Sequence, residues 1–440
     1  MDFLFFKQII CLDNIYKLYL QLKFKLCQTM YYERIIDTYL SEWASRSDHK
    51  PVLLRGARQV GKSTAVRHLG ACFKTYVEIN FEKQPEYKVL FQDNLDATRI
   101  VSQISAISGK AIKAGETLLF LDEIQNIDGW HLFVNRLLRQ RMHILVTGSN
   151  AKLLSGELAT HLTGRNDQIE LYPFSFAEWC QCKGVDVDSK TTKAEALRRA
   201  AFDEYLNQGG FPELLYKKNK TRYIANLVDN ILKRDIEQRH KIKYVEAFEQ
   251  LTHHLLNIAP VTIVESDLAS VVGLKSNHTI NNYIGFLKDA YLLLGVKRFS
   301  TKSRQRVRAE KVYPVDVALM DSRPNAFAGV NIGWRLETVV YIELLRRNRP
   351  LDRDIYYYKS TSGYEADFVV CKNNIVEEVY QVSYDISKEK TRKRELRGLL
   401  SASKETRCDN LFLITDFHRE DVTIEDKLIK IIPAYDWLIE

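Results

Sequence analysis

The sequence predicts an α/β protein: a parallel sheet first, then a helical segment, then a second α/β unit. Three observations predict the first sheet. An apolar run, Pro51-Val52-Leu53-Leu54, leads into Gly56-Ala57-Arg58-Gln59-Val60-Gly61-Lys62-Ser63, and Ala65, Val66 and Leu69 follow at helical spacing. A second apolar run, Thr117 to Leu121, ends in Asp122-Glu123. Strand-like runs and helical patterns alternate from residue 50 to about 170, the signature of a parallel sheet with crossover helices.

The first run is read as a strand, and the glycine-bounded stretch after it fits the G-x-x-x-x-G-K-[ST] phosphate-binding loop. Glycines let backbone N–H groups turn inward, and a helix N-terminus favours negative charge, so strand, loop and helix together make an anion site. Lys62 is expected to reach the β- and γ-phosphates of a nucleotide, and the Ser63 hydroxyl to ligate Mg²⁺. Asp122 lies where a central parallel strand ends, the place where ligands collect, and is expected to hold the metal. Glu123 is expected to polarise an attacking water. Tyr76 to Asn80 and His143 to Gly148 read as further strands of this sheet. Ser149 and Asn150 after the latter are candidates to sense the γ-phosphate or orient the water, with a plain turn as an equal alternative.

At 440 residues the chain is long enough for two to four domains. Its 45% hydrophobic and 27% charged content are those of an ordinary soluble globular protein. The 64 Lys and Arg against 56 Asp and Glu give a net charge of +8, a mild lean towards acidic partners that needs clustering to mean nucleic acid. Seven cysteines are scattered, and Cys180 with Cys182, lacking a second pair, is a weak zinc signal. Free thiols point to a reducing, cytoplasmic setting. Residues 1–29 mix Phe, Leu, Ile and Tyr with lysines, without a run of membrane-spanning length or a small-residue cleavage site, so neither a span nor a signal peptide is expected. Met30 precedes an amphipathic pattern from Tyr31 to Trp43, with Ile35, Ile36, Tyr39, Leu40 and Trp43 on one side. Residues 1–29 are therefore read as a non-native or disordered extension, the alternative being a surface-lying amphipathic helix.

Arg165, after Gly164, is a candidate γ-phosphate contact within the chain or across a subunit interface, against a solvated surface arginine. Residues 177–250 read mostly as helix, broken at Gly209-Gly210-Phe211-Pro212-Glu213, a turn that serves either structure or the nucleotide site. Residues 247–300 have a winged helix-turn-helix pattern. A first helix runs from about Ala247 to Ile258, a second, capped by Ser266, from Asp267 to Val272, and a third from Asn277 to Ala290. Ile280, Ile284 and Leu287 mark the third helix's buried face, leaving Ser276, His278, Thr279, Asn281 and Asn282 suited to base edges and phosphates. Lys297, Arg298, Lys302, Arg304, Arg306, Arg308 and Lys311 form a basic wing, so residues 275–311 are the expected contact with double-stranded DNA; packing on the first unit or on a protein partner is the alternative. The last segment reads as a helix from Gly333 to about Arg347, three strands around 355–358, 365–370 and 376–384, a basic helix from Lys388 to Leu400, and a strand at 411–414.

The loop wording, Leu121-Asp122-Glu123-Ile124-Gln125, Thr147-Gly148-Ser149-Asn150, Gly164-Arg165, Pro173-Phe174-Ser175-Phe176, Gly209 to Glu213 and Lys311 to Asp316 together resemble one family. It is the prokaryotic AAA-family ATPases of the archaeal-ATPase group that carry a C-terminal domain of unknown function. The resemblance spans nearly all of residues 30–440. It implies ATP binding by Gly56, Arg58, Gln59, Val60, Gly61, Lys62, Ser63 and Thr64, and Mg²⁺ and water roles for Asp122 and Glu123. It also implies a P-loop core over 30–175, a helical linker or lid over 176–246, a winged helix over 247–311 and a restriction-endonuclease-like domain over 312–440. AAA-type sites often borrow an arginine from a neighbour, which makes self-association an expectation. In the endonuclease-like fold an acid on a helix, an Asp on one strand and a Glu/Gln-x-Lys on the next hold a metal. The matching positions are Glu337, Asp367 and Gln381, but Ser383 stands where the lysine belongs, so this domain is expected to be catalytically inactive.

Overall fold

The computed structural model of the chain describes residues 31–46, 50–148, 166–300, 310–322 and 331–440. The expectations for residues 1–29, Ser149, Asn150, Arg165 and the basic residues 302–308 fall outside these. The chain enters on α1 (Ile35–Ser45), β1 (Val52–Arg55) and α2 (Lys62–Gly70), followed by β2 (Thr75–Asn80), α3 (Ala97–Ser108), β3 (Thr117–Asp122), α4 (Trp130–Arg139), β4 (His143–Gly148) and β5 (Asp167–Glu170). The five strands form one parallel sheet in the order β2-β3-β4-β1-β5. Side chains alternate across it. Leu53, Leu119, Leu121, Ile144 and Val146 pack with Ile100, Trp130 and Phe133 on one face. Val52, Leu54, Leu118, Phe120 and Leu145 pack with Trp43, Ala65, Val66 and Leu69 on the other. Burial on both faces explains why β3 and β4 read as unbroken apolar runs. α1 starts at Ile35 rather than Tyr31, because Asp37 and the Arg34 backbone form a capping box there. Ile36, Leu40 and Trp43 are buried as expected, whereas Ile35 is 56% exposed.

The helical part comprises α5 (Phe176–Lys183), α6 (Thr192–Gln208), α7 (Lys220–Asn230) and a π-helical stretch, Ile231–Glu237. The Gly209-Gly210 turn between α6 and α7 is structural. The Gly210 N–H donates to Asp316 Oδ2 at 2.8 Å, and its carbonyl accepts from the Phe174 N–H at 2.8 Å. Burial pushes the Asp316 carboxyl up to about 6, while the N–H groups of Ala318 and Gly210 pull it down. Gly209 has φ +79° and ψ −178°, a region essentially closed to other residues. A Cβ there would lie 1.9 Å from Asp316 Oδ1 and 2.9 Å from the Ala318 nitrogen. Gly209→Ala is therefore expected to destabilise the chain by more than about 3 kcal/mol, a backbone-strain cost plus an overlap that cannot relax. Urea unfolding checks this, and a midpoint like that of the wild type would contradict it.

Next come α8 (Val245–Ile258), β6 (Val261–Thr262), α9 (Glu265–Val271), α10 (Asn277–Asp289), β7 (Leu293–Arg298) and β8 (Glu310–Pro314). α9 begins two residues before the expected point. Ser266 lies inside its first turn and bonds to Asp267, and Val264 stands at the N-cap. In α10, Ser276 caps the Thr279 N–H, and Ile280, Ile284 and Leu287 are buried as their spacing predicts. The chain ends with α11 (Ile332–Asn348), β9 (Asp354–Lys359), β10 (Glu365–Lys372), β11 (Ile375–Val382), α12 (Glu389–Thr406), β12 (Leu411–Thr415), β13 (Glu420–Ile424), β14 (Lys427–Pro433) and α13 (Ala434–Trp437). A mixed nine-stranded sheet runs β13-β14-β12-β11-β10-β9-β7-β8-β6, so the strands near the helix-turn-helix extend the C-terminal sheet through the parallel β7–β9 pair. The expected division at 311/312 falls inside β8. No helix among the described residues is long and apolar enough to cross a membrane.

Candidate functional site

The loop between β1 and α2 turns through positive φ at Gly56 (+146°), Gln59 (+65°) and Gly61 (+98°). A Cβ on Gly56 would meet the Leu171 carbonyl oxygen at 2.1 Å, so the first glycine is fixed by packing against the end of β5. Val60 is fully buried and anchors the loop's middle. Arg34, just before α1, fastens it: Nη1 donates to the Val60 carbonyl at 3.1 Å, Nη2 to the Tyr172 carbonyl at 2.9 Å, and Nε pairs with Glu178 at 2.8 Å. The sequence offers no local sign of this, because Arg34 acts over 26 and 138 residues.

Lys62 is the first residue of α2, and its Nζ donates to the carbonyls of Gly56 and Ala57, both at 2.8 Å. Burial lowers its pKa, opposed by Glu123, Asp122 and Asp235 in that order. Ser63 Oγ donates to Asp122 Oδ2 at 3.0 Å, although β4 separates β1 from β3 in the sheet. Asp122 also accepts from Asn80 Nδ2 at 2.6 Å and from Thr147 Oγ1. Burial raises the Asp122 carboxyl, and the donors Thr147, Asn80 and Ser63 hold that rise down. Its side-chain hydrogen-bond donors among the described residues are the neutral Ser63, Asn80 and Thr147, and a hydroxyl and a carboxylate are hard oxygen ligands, so the pair Ser63 and Asp122 fits Mg²⁺. Asn80 and Thr147 went unnoticed in the sequence. Their signal is a polar residue closing a strand next to β3. Glu123 leaves β3 at φ +56°, a left-handed conformation uncommon for such a residue, and its carboxylate accepts from Gln125 Nε2. Thr64, the third residue of α2, is exposed.

Two loop side chains reach the helical part. Tyr223 of α7 donates to Gln59 Oε1 at 2.5 Å, and Arg58 Nη1 donates to Asp235 Oδ1 at 3.1 Å.

The C-terminal acids also meet, though not as a metal site. Glu337 on α11 pairs with Lys311 Nζ at 2.5 Å and accepts from the Tyr313 hydroxyl at 2.7 Å. Asp367 lies 4.0 Å from the same ammonium and accepts from the Val382 N–H at 2.8 Å. Gln381 accepts from the Asp367 N–H and donates to Glu395 at 2.8 Å. Burial opposes the Lys311 charge, but Glu337 and Asp367 outweigh it, so its pKa is raised. Burial and Glu337 push Asp367 well up. A lysine from β8 thus sits where a cation would be drawn, and the acids are engaged by protein donors. Among the described residues no group of three or more His, Cys, Asp or Glu side chains is arranged to hold a metal. The residues do not fit the cation of an endonuclease-like site.

On α10, Asn277, His278, Asn281 and Asn282 are exposed, as are Lys275 just before it and Lys297 on β7.

Residues 48–180 match a family described as "AAA domain", and residues 199–327 and 333–437 match two domains of unknown function, DUF8612 and DUF4143. The chain is 32% identical over 409 residues to the uncharacterized protein MJ1544 of Methanocaldococcus jannaschii, covering 88% of each. It is 29% identical over 406 residues to an uncharacterized protein of Haemophilus influenzae, covering 88% of this chain and 94% of that one. Among solved structures, the Walker-type ATPase paby2304 of Pyrococcus abyssi aligns with a TM-score of 0.39 and 14% identity over 68% of this chain and 97% of that one.

Proposed function

We propose that this chain, which belongs to one family with the uncharacterized protein MJ1544 of Methanocaldococcus jannaschii and matches the AAA domain over residues 48–180, binds ATP with Mg²⁺ and hydrolyses it. One observation carries the reading: Lys62, Ser63, Asp122 and Glu123 converge where β1 and β3 end, with Ser63 Oγ 3.0 Å from Asp122. Bound Mg²⁺, held by the Ser63 hydroxyl and the Asp122 carboxylate, would neutralise phosphate charge. Lys62 exchanges its two loop carbonyls for phosphate oxygens. The N–H groups at the start of α2 bind the same oxygens. Glu123 takes the proton of the attacking water. Steady-state phosphate release by the full chain tests this. Turnover should require Mg²⁺ and disappear in Lys62→Ala; turnover that survives that substitution would overturn it.

The exposed polar face of α10 supports a second reading, in which duplex DNA binds there and modulates the ATPase. Its buried face is already used by the core, and outward lie the exposed Asn277, Asn281 and the pair His278 and Asn282, 3.3 Å apart, which would turn to a ligand. DNA should then raise turnover and bind with a steep salt dependence. Absence of binding at low salt, with unchanged turnover, removes this reading. The Lys311-filled acid cluster supports taking the C-terminal unit as a non-cleaving module.

A further inference from the structure

We propose that Asp235 competes with the nucleotide's phosphates for the guanidiniums of Arg58 and Arg239, so that the segment from Tyr223 to Arg239 reads occupancy of the phosphate-binding loop. The inference rests on the nucleotide site proposed above. Arg58 belongs to that loop, two residues after Gly56. Its Nη1 donates to both Asp235 oxygens, at 3.1 and 3.3 Å, and its Nη2 to Glu82 at 3.2 Å. Asp235 is buried, lies in the π-helical stretch and also pairs with Arg239 Nη2 at 3.7 Å. The π-helical stretch continues α7 and ends the helical run, and π turns are rare and recur at functional positions.

Two further facts favour competition over a purely structural bridge. The Asp235 carboxylate acts on the Lys62 ammonium as well as on Arg58 and Arg239, and burial and Glu123 raise it against those two guanidiniums. An anionic side chain in that place opposes a polyphosphate. In addition, Arg239 Nη1 is buried and has no acceptor among the described residues. A buried guanidinium donor without a partner is costly, and a phosphate oxygen is the acceptor chemistry that suits it. A triphosphate that draws Arg58 from Asp235 loosens the tie between loop and π-helix. The Tyr223–Gln59 hydrogen bond, from the same helical segment, is set to move with it.

The test is a binding series with a fluorescent ATP analogue on the full chain: wild type, Asp235→Asn, Arg58→Ala and the double variant. Asp235→Asn should tighten binding about tenfold, the size of one charge-assisted hydrogen bond. Arg58→Ala should weaken it, and in that background Asp235→Asn should lose most of its effect. Glu82→Gln, at a 40% exposed side chain, should tighten binding less and covers the case in which Asp235→Asn does not fold. Hydrogen exchange of residues 223–239 should change on adding ATP in the wild type and not in Arg58→Ala. Unchanged affinity in both Asp235→Asn and Glu82→Gln, or an Asp235→Asn effect that persists without Arg58, overturns the proposal. A wild type that binds no analogue at all instead overturns the nucleotide site itself.

Discussion

Lys62→Ala is expected to abolish measurable ATP binding while the chain stays folded. The ammonium is buried against the loop, and the charges that sustain it there are those of the site: Glu123, Asp122 and Asp235. Its two acceptors are carbonyls of the same loop, so it touches the phosphates' seat from within. Losing a buried, charge-assisted contact to a polyphosphate costs about 2–5 kcal/mol, which places affinity about thirtyfold to several thousandfold below wild type. The fold should tolerate the change, because Val60 and Arg34 anchor the loop independently of Lys62. Titration calorimetry and a thermal melt on the same sample separate the two effects. Binding within threefold of wild type, in a folded variant, would place the nucleotide elsewhere.

What was legible in the sequence was what local pattern encodes. The loop motif predicted a strand, a turn and a helix, and β1, the positive-φ turn and α2 stand there. Apolar runs predicted β3 and β4 because both faces of that sheet are covered. The spacing of Ile280, Ile284 and Leu287 predicted the buried side of α10. What was not legible depends on contacts between distant residues. Nothing near Asp122 in sequence announces Asn80 or Thr147 as its partners; they become neighbours because β2 and β4 flank β3. Arg34 and Asp235 reach the loop from opposite directions in the sequence, 26 residues before Val60 and 177 after Arg58. Lys311 is the sharpest case. The lysine sought two residues beyond Gln381 is absent there, and one arrives from β8. β13 and β14 were missed because neither alternates cleanly: Glu420–Ile424 opens on two acids, and Lys427–Pro433 mixes two lysines with adjacent apolar residues, with little to distinguish them from a loop.

Glu123→Gln is expected to bind ATP like the wild type and to hydrolyse it on the order of a hundredfold or more slowly, the usual loss when a general base is removed. The surroundings of the two neighbouring acids support the different tasks proposed for them. Asp122 is buried and accepts from Ser63, Asn80 and Thr147, which fix its orientation and leave it no role as a mobile proton acceptor. Glu123 is half-exposed, and a residue continuing the strand would point away from its predecessor. The left-handed backbone at Glu123 breaks that alternation. The electrostatics agree, since Glu123 is the charge acting most strongly on the Lys62 ammonium. Gln keeps the shape and the hydrogen-bonding reach but not the basicity. Asp122→Asn should therefore behave differently, weakening Mg²⁺-dependent binding as well as turnover. Single-turnover hydrolysis, measured beside nucleotide affinity, distinguishes the two variants. Equal loss of binding in both would merge their roles, and a Glu123→Gln rate within threefold of wild type would move the base to another residue.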